Sequence, residues 1–522
     1  MSGRHYDVII LGRSIGALLA GALLARRDFS VLVLGQGARP ATYRFGSSEL
    51  QRRSASLLGA ASPAWRRSLV ELAQSQTFRR RAEPLDPMVS VLMPGRRFEL
   101  APDLALFERE IDREFPEVRR IVDDLYANLA RVNERADRAF AQDAILPPGS
   151  FWERRKASSV CDGIPYLEPS SVSPLSDFPQ LHPYRGVVEH SVAFASDVAG
   201  APRTLPPFAL ARLHAALTRG PVAMPGGEDE LVQFLLDRIS AHGGTISLAD
   251  RIERIFTQRD AVNAVLVDGD TGRTGCEFVL SDGSGEELAA LSQGEGVSAK
   301  ARREWPRLDP VEGRFVVSIV VRPEGVPTAL GPEALLFSQP MGAPADPQRP
   351  VVRLQRIVPP IPPNGPPRAE VLLVAETLVS LRGGSLPITQ AREATLRTVR
   401  QFFPWLERHL VVVDSPHDGL PVWAYEDGVR REVDRLQLQG GILRPEPMRT
   451  LFEVSSPSFY RLAAEPVRGP IERTFLVGRT VLPALGQEGE LLAAWGAASL
   501  ITKSDPRREK LRLELWNKVE IG

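Results

Sequence analysis

One stretch near the start restricts the fold more than any other. Asp7-Val-Ile-Ile-Leu11, a buried-strand run, breaks at Gly12-Arg-Ser14-Ile-Gly16-Ala17 into a long alanine- and leucine-rich helix, and a second apolar run follows at Val31-Leu34. A fully apolar strand, a tight turn and a helix that returns to a second such strand form the opening unit of a dinucleotide-binding α/β sheet. The turn needs glycine where the strand bends, a small residue where backbone approaches a pyrophosphate, and another where helix crosses strand. Gly12, Ser14 and Ala17 hold those places, with Gly16 beside them. The helix N-terminus offers N–H groups and a partial positive charge to a phosphate, while the Ser14 side chain narrows the approach. A carboxylate for the ribose hydroxyls is expected about 20 residues farther on. Instead Val31-Leu34 runs into Gly35-Gln36-Gly37, and Gln36 is the candidate substitute. The same residues spell the G-x-S-x-G elbow of a nucleophilic serine. That elbow needs an earlier strand-helix loop to donate an oxyanion N–H, and only six residues precede this strand, so the elbow is rejected.

At 522 residues, 43% of them hydrophobic, the chain exceeds one ordinary core and predicts two or three packed units. Arg and Lys total 64, as do Asp and Glu, so no global field attracts nucleic acid or an anionic membrane. Cys161 and Cys276 supply neither a disulfide framework nor a metal-ligand spacing. Without a secretory leader, the reducing cytoplasm is the expected compartment. The most apolar stretch, Ile15 to Leu24, is far shorter than the about 20 residues of a bilayer span, which leaves peripheral contact as the only membrane association open.

Between its ends the chain alternates between sheet-like and inserted segments. Pro116 to Phe140 reads as a helix with Val118, Ile121, Val122, Leu125, Leu129 and Val132 on one face. Pro225-Gly226-Gly227 opens another helix, which His242-Gly243-Gly244 closes. Strands are expected at Thr245-Leu248, Ile252-Phe256, Ala261-Val267, Phe315-Val321 and Val371-Val374, with an exposed, semi-rigid proline-rich loop at Pro359-Pro367. His190, His214 and His242 stand isolated and are read as structural, and Phe78-Arg79-Arg80-Arg81 as a solvated face.

Near the C-terminus Leu476-Val-Gly478-Arg479 leads through Pro483-Ala-Leu-Gly486-Gln-Glu488-Gly489 into an alanine-rich helix. Gly486 and Gly489 let backbone approach a flat ring, and a helix N-terminus favours a reduced, anionic flavin by about 0.3 to 1 kcal/mol; ordinary capping is the bland alternative. With the first turn and the central Pro225-Gly-Gly segment, this order of motifs resembles the phytoene desaturase and amine oxidase branch of the FAD-dependent oxidoreductases, in a chain of similar length. The resemblance implies an α/β fold: a Rossmann-like FAD/NAD(P)-binding domain from segments 1-100, 226-310 and 440-522, and an inserted α+β substrate domain from 101-225 and 311-439. It implies FAD as cofactor and places Ile252, Gly478, Gly486 and Gly489 beside it. Together with the turn residues, the expected cofactor-binding set is Gly12, Ser14, Gly16, Ala17, Gln36, Ile252, Gly478, Arg479, Gly486, Glu488 and Gly489.

Four positions depart from that family's pattern. Arg479 stands where an acidic residue reaches the ribityl chain, Ala484 where glycine follows the proline, Gly35 at the ribose carboxylate, and Gly37-Ala-Arg39-Pro40 in place of a Gly-Gly-Arg segment. If each lost hydrogen bond costs roughly 1 to 2 kcal/mol, cofactor affinity falls by orders of magnitude. Two functions are therefore carried forward. The first is an FAD-dependent desaturase, dehydrogenase or isomerase acting on a lipophilic small molecule, with no catalytic side chain assigned. The second is a flavin-free lipid- or protein-binding module, for which the Rab GDP-dissociation inhibitors are a fold-level precedent. A nicotinamide enzyme ranks last, because the C-terminal loop is flavin-like and no second nucleotide turn follows.

Overall fold

The computed structural model describes residues 4–340, 343, 346–358, 370–383, 386–440 and 442–505. The proline-rich run 359–367 lies outside them. β1 (His5–Leu11) is central in a seven-stranded sheet, which is why Val8 to Leu11 are buried. It pairs in parallel with β2 (Val31–Leu34) on one edge and with the strand Arg273–Ser281 on the other. α1 (Ile15–Arg26) connects β1 to β2 and is buried from Gly16 to Ala25. Helices Gly227–Ala241 and Gly486–Ser504 both pack on it, so it is apolar all round.

Thr245–Ser247 joins beside β2 and Thr474–Leu476 beside Arg273–Ser281, both in parallel, and Ile252–Gln258 with Ala261–Val267 completes the far side as an antiparallel pair. Because β1, Arg273–Ser281 and Thr474–Leu476 run the same way, their carboxyl ends share one edge, where parallel sheets hold ligands. Gly12, Asp282 and Gly478 follow those ends within two residues.

A second sheet of ten strands is antiparallel except where Val89–Met93 lies parallel to Glu333–Leu336. Its spine, Leu308–Val321, pairs with Val371–Ser380 on one edge and with Arg449–Val454 and Leu410–Asp414 on the other. Residue alternation along the spine divides its two faces. Phe315, Val317, Ile319 and Val321 enter a core shared with helix Ile388–Phe402. Arg314, Val316 and Ser318 face the opposite way, toward the first sheet's ligand edge. On that face Val316 is in register with Glu376, and Glu376 with Arg353, while Arg314 is directly opposite Arg449. All five expected strands form. The helix expected over 116–140 begins with a 3-10 turn, Pro116–Val118, and runs from Arg119 to Phe140, packing on Pro207–Thr218. The architecture is the expected one: a parallel nucleotide-type sheet with a largely antiparallel second sheet. Among the described residues no helix is long and apolar enough to cross a membrane, and no group of three or more His, Cys, Asp or Glu side chains could hold a metal.

Candidate functional site

At the ligand edge the first turn forms as expected, but its anion seat is taken from within. The Ser14 N–H donates to Asp282 Oδ2 at 2.7 Å. A Cβ on Gly12, whose φ is 114°, would overlap the same carboxylate. The Ser14 hydroxyl caps α1 by accepting from the Ala17 N–H at 3.2 Å. Burial raises the Asp282 carboxyl above its ordinary value, against the opposing pull of the Ser14 and Arg13 N–H groups and the Ser14 hydroxyl. Arg13 reaches the other way, donating to the Arg39 carbonyl at 3.0 Å and to Asp229 Oδ1 at 2.7 Å. Asp229 also accepts from the N–H groups of Ala41 and Thr42, fastening the 39–42 segment beside the turn.

The remaining expected residues fall into two groups. Gln36 and Ile252, placed at the adenosine end, meet each other: the Ile252 N–H donates to Gln36 Oε1 at 3.4 Å, and Gln36 Nε2 is buried without a partner. The glycines serve close backbone approach. An added Cβ would overlap the carbonyl of Val477 at Gly16, of Asp282 at Gly478, of Ala195 at Gly486 and of Leu482 at Gly489. Glu488 is turned toward Arg212 on the Pro207–Thr218 helix, accepting two bonds at 2.7 Å in a buried ion pair. Of the eleven, only Ser14 and Arg479 line the large cavity at this edge.

That cavity, about 440 Å³, lies between the ligand edge of the first sheet and the Arg314 face of the second, within the usual range for small-molecule sites. Its wall carries seven arginines, including Arg53, Arg314, Arg353, Arg449 and Arg479, against five carboxylates, including Asp282, Glu376 and Glu490. Arg314 donates to Glu376 at 2.6 Å and to the Phe194 and Ser196 carbonyls. Arg353 pairs with Glu333 at 2.9 Å, Arg53 with Glu228, and Arg449 with Asp197 at 2.9 and 3.0 Å. Burial pushes Asp197 up, but Arg449, Arg479 and Arg314 together hold it below its ordinary value. Arg479 donates to the carbonyl and hydroxyl of Thr450, with Asp197 at 3.7 Å. Burial, reinforced by Arg449, lowers it to about 10. Glu490 is pushed up to about 7, chiefly by burial, against the pull of Arg449 at 3.6 Å. His417 Nδ1 faces the Glu446 carbonyl at 3.0 Å, so that nitrogen carries the proton and Nε2 is left as the lone pair. Burial lowers the His417 pKa, which keeps the ring neutral.

Sequence reasoning missed Asp282, Arg449, Glu490 and His417. Asp282 alone had a usable signal, since it directly follows a strand run at Phe278-Val-Leu-Ser281 whose parallel pairing with β1 puts it at the ligand edge. His190, His214 and His242 do not line this cavity. His214 is held to about 4 by burial and contacts Tyr126, and His190 bonds the Gly186 carbonyl within its own helix.

No protein-family model and no curated protein sequence matches the chain. Solved structures match it over nearly its whole length. An oxidoreductase from Methanosarcina mazei superposes with a TM-score of 0.55 at 16% identity, covering 95% of this chain and 99% of its own. Cyclohexylamine oxidase from Brevibacterium oxydans gives 0.52 at 14%, covering 96% and 99%. Putrescine oxidase gives 0.51 at 13% over the same shares. The chain has the amine-oxidase fold. Identities this low carry the architecture and not the chemistry. Structural homologues of the chain bind FAD, whose diphosphate is the part the first turn serves. In this chain the donor that would hold a diphosphate already holds Asp282, and a phosphate on the same N–H would lie against a like charge. The residues at the α1 N-terminus do not fit the group.

Proposed function

We propose that this chain is a flavin-free binding protein of the amine-oxidase fold, which keeps the chamber between the two sheets and holds a small polar molecule there. The observation that carries the reading is the Asp282 carboxylate on the Ser14 N–H, in the place the fold reserves for a cofactor phosphate. The altered positions Gly35 and Arg479 support it, as does the mutual contact of Gln36 and Ile252. The charged wall favours a polar ligand over the lipophilic one expected from the family. The domain division 1–100, 226–310 and 440–522 against 101–225 and 311–439 is part of the proposal, with two amendments. The hairpin 89–100 and the strand Arg449–Val454 are assigned to the second unit, whose sheet they extend.

An FAD-dependent oxidoreductase is the second reading. It is favoured by the C-terminal loop, where Gly486 at φ 53° and Gly489 still open the N-terminus of the last helix. An absorbance spectrum from 300 to 550 nm, recorded before and after incubation with excess FAD and removal of free ligand, separates the two. The expected result is folded protein with no flavin band. A retained band overturns the flavin-free reading and establishes the second.

A further inference from the structure

We propose that the outward face of helix Phe151–Cys161 docks on an anionic lipid bilayer, with its two leading rings among the headgroups and its basic residues on the lipid phosphates. None of its residues lines the chamber, so the proposal holds on either cofactor reading. The helix is apolar on the wrong side. Ser150 caps it and Glu153 completes a capping box, which fixes where the first turn starts. At roughly 100° per residue, Ala157 and Cys161 share the buried face and Phe151, Trp152 and Arg155 share the opposite one. The two bulkiest apolar side chains are therefore outside, Phe151 at 69% and Trp152 at 71% exposure. Their rings pack edge to face at 5.5 Å. Two turns along the Phe151 stripe, Ser158 meets Tyr460. Phe459, Tyr460 and Arg461 have φ of 45°, 58° and 63°, three successive residues in a region that L side chains avoid. That turn sets a second ring pair, 5.1 Å apart, and the exposed Arg461 at the flank of the helix.

Charge and area choose the occupant. Glu153 is committed to Arg468 at 2.6 and 2.9 Å, which cancels both. Arg154, Arg155 and Lys156 follow it as three exposed cations. Asp143, the acid whose field reaches Lys156, is bonded to Lys503 at 3.0 Å. The whole chain has a formal net charge of zero, so attraction to an anionic surface belongs to this face and not to a global field. Aromatic side chains bury roughly 150 to 250 Å² each, and two of them about two-thirds exposed offer on the order of 200 to 300 Å². A stable protein interface takes about 800 Å² from each partner, which these rings do not supply. A second copy on a two-fold axis would set basic helix against basic helix. A bilayer needs no matching surface: rings settle at the headgroup level, arginine and lysine stems lie alongside, and each cation meets lipid phosphate.

The test is co-sedimentation of the full chain with sucrose-loaded vesicles, either pure phosphatidylcholine or phosphatidylcholine with about a third phosphatidylglycerol. Wild type is compared with the double variant Phe151→Ser, Trp152→Ser, with Arg155→Glu, and with Leu436→Ser, an equally exposed apolar residue on another element. Wild type is expected to bind the anionic vesicles at least about tenfold more tightly than the neutral ones, and the preference should vanish in about 1 M salt. The double variant and Arg155→Glu should each lose at least about tenfold on anionic vesicles, and Leu436→Ser should match wild type. Circular dichroism checks folding, and Arg155→Glu decides if the double variant fails to fold. Wild type that pellets with neither vesicle, or equally with both, overturns the proposal, as does a folded double variant that binds like wild type. Analytical ultracentrifugation supplies the other arm: a wild-type dimer that the double variant dissolves, with no vesicle binding, gives the face to a second copy and overturns the lipid assignment.

Discussion

If the Asp282 carboxylate occupies the phosphate seat, removing it should create nucleotide affinity that the native chain lacks. The Ser14 N–H to Asp282 Oδ2 distance is 2.7 Å, so a phosphate oxygen competing for that donor would lie roughly 4 Å from the carboxylate. Two unit charges at about 4 Å in an effective dielectric of about 20 repel by about 4 kcal/mol. Solvent entering the open side of the chamber screens part of this, which makes about 2 to 4 kcal/mol the expected span. That corresponds to roughly 30- to 700-fold in affinity. The assay is equilibrium dialysis of radiolabelled ADP against wild type, Asp282→Asn and Asp282→Ala. Asparagine removes the charge and keeps the shape, whereas alanine clears both. Both variants should bind ADP at least about 30-fold more tightly than wild type, with alanine no weaker than asparagine. A folded Asp282→Ala that binds ADP no better than wild type refutes the reasoning, as does wild type already binding ADP as tightly as the variant.

Glu490 holds its proton up to about 7 in the folded chain against an ordinary 4.5. The native state therefore binds more protons than the unfolded one between those values, and stability should fall by on the order of 3 kcal/mol as pH rises through that window. Urea denaturation of wild type and Glu490→Gln at pH 4.5 and pH 8 checks this, since the variant should lack that part of the slope. Glu488→Ala leaves Arg212 buried with Asp137 as its remaining carboxylate partner and should cost roughly 1 to 3 kcal/mol. Urea denaturation of the variant beside wild type reads the loss. Gly486→Ala should destabilise the chain by at least about 1 kcal/mol, because φ is 53° and the added Cβ meets the Ala195 carbonyl; a thermal melt reads the loss.

The fold was legible because its strongest signals are local. The Val8–Leu11 run, the Gly12 turn and the apolar helix after it lie within a single short segment, where strand burial and helix return follow from residue type alone. The chamber is made differently. Asp282 reaches it from one segment and Arg479 and Glu490 from another, and Arg314, Glu376 and Arg353 meet there only because strand register aligns them. Nothing in the spacing of an arginine at 314 and another at 449 announces that they are opposite each other. Glycine motifs mislead for a related reason. Close backbone approach is needed to pack α1 against the Val477 carbonyl at Gly16 and the last helix against the Ala195 carbonyl at Gly486, whether or not a cofactor is present.

On the flavin-free reading, that distinction explains how a nucleotide-type motif can persist without the nucleotide. Glycines that seat helix against strand are held by the core, whereas a ribose carboxylate or an empty phosphate seat is held only by the ligand it serves. In this chain the first class is intact at Gly16, Gly478, Gly486 and Gly489, and the second is altered at Gly35, Arg479 and Asp282. The α1 N-terminus still needs an anion, because its donors would otherwise be buried without a partner. A carboxylate from the neighbouring parallel strand is the least disruptive replacement, since the parallel pairing already ends both strands at the same edge.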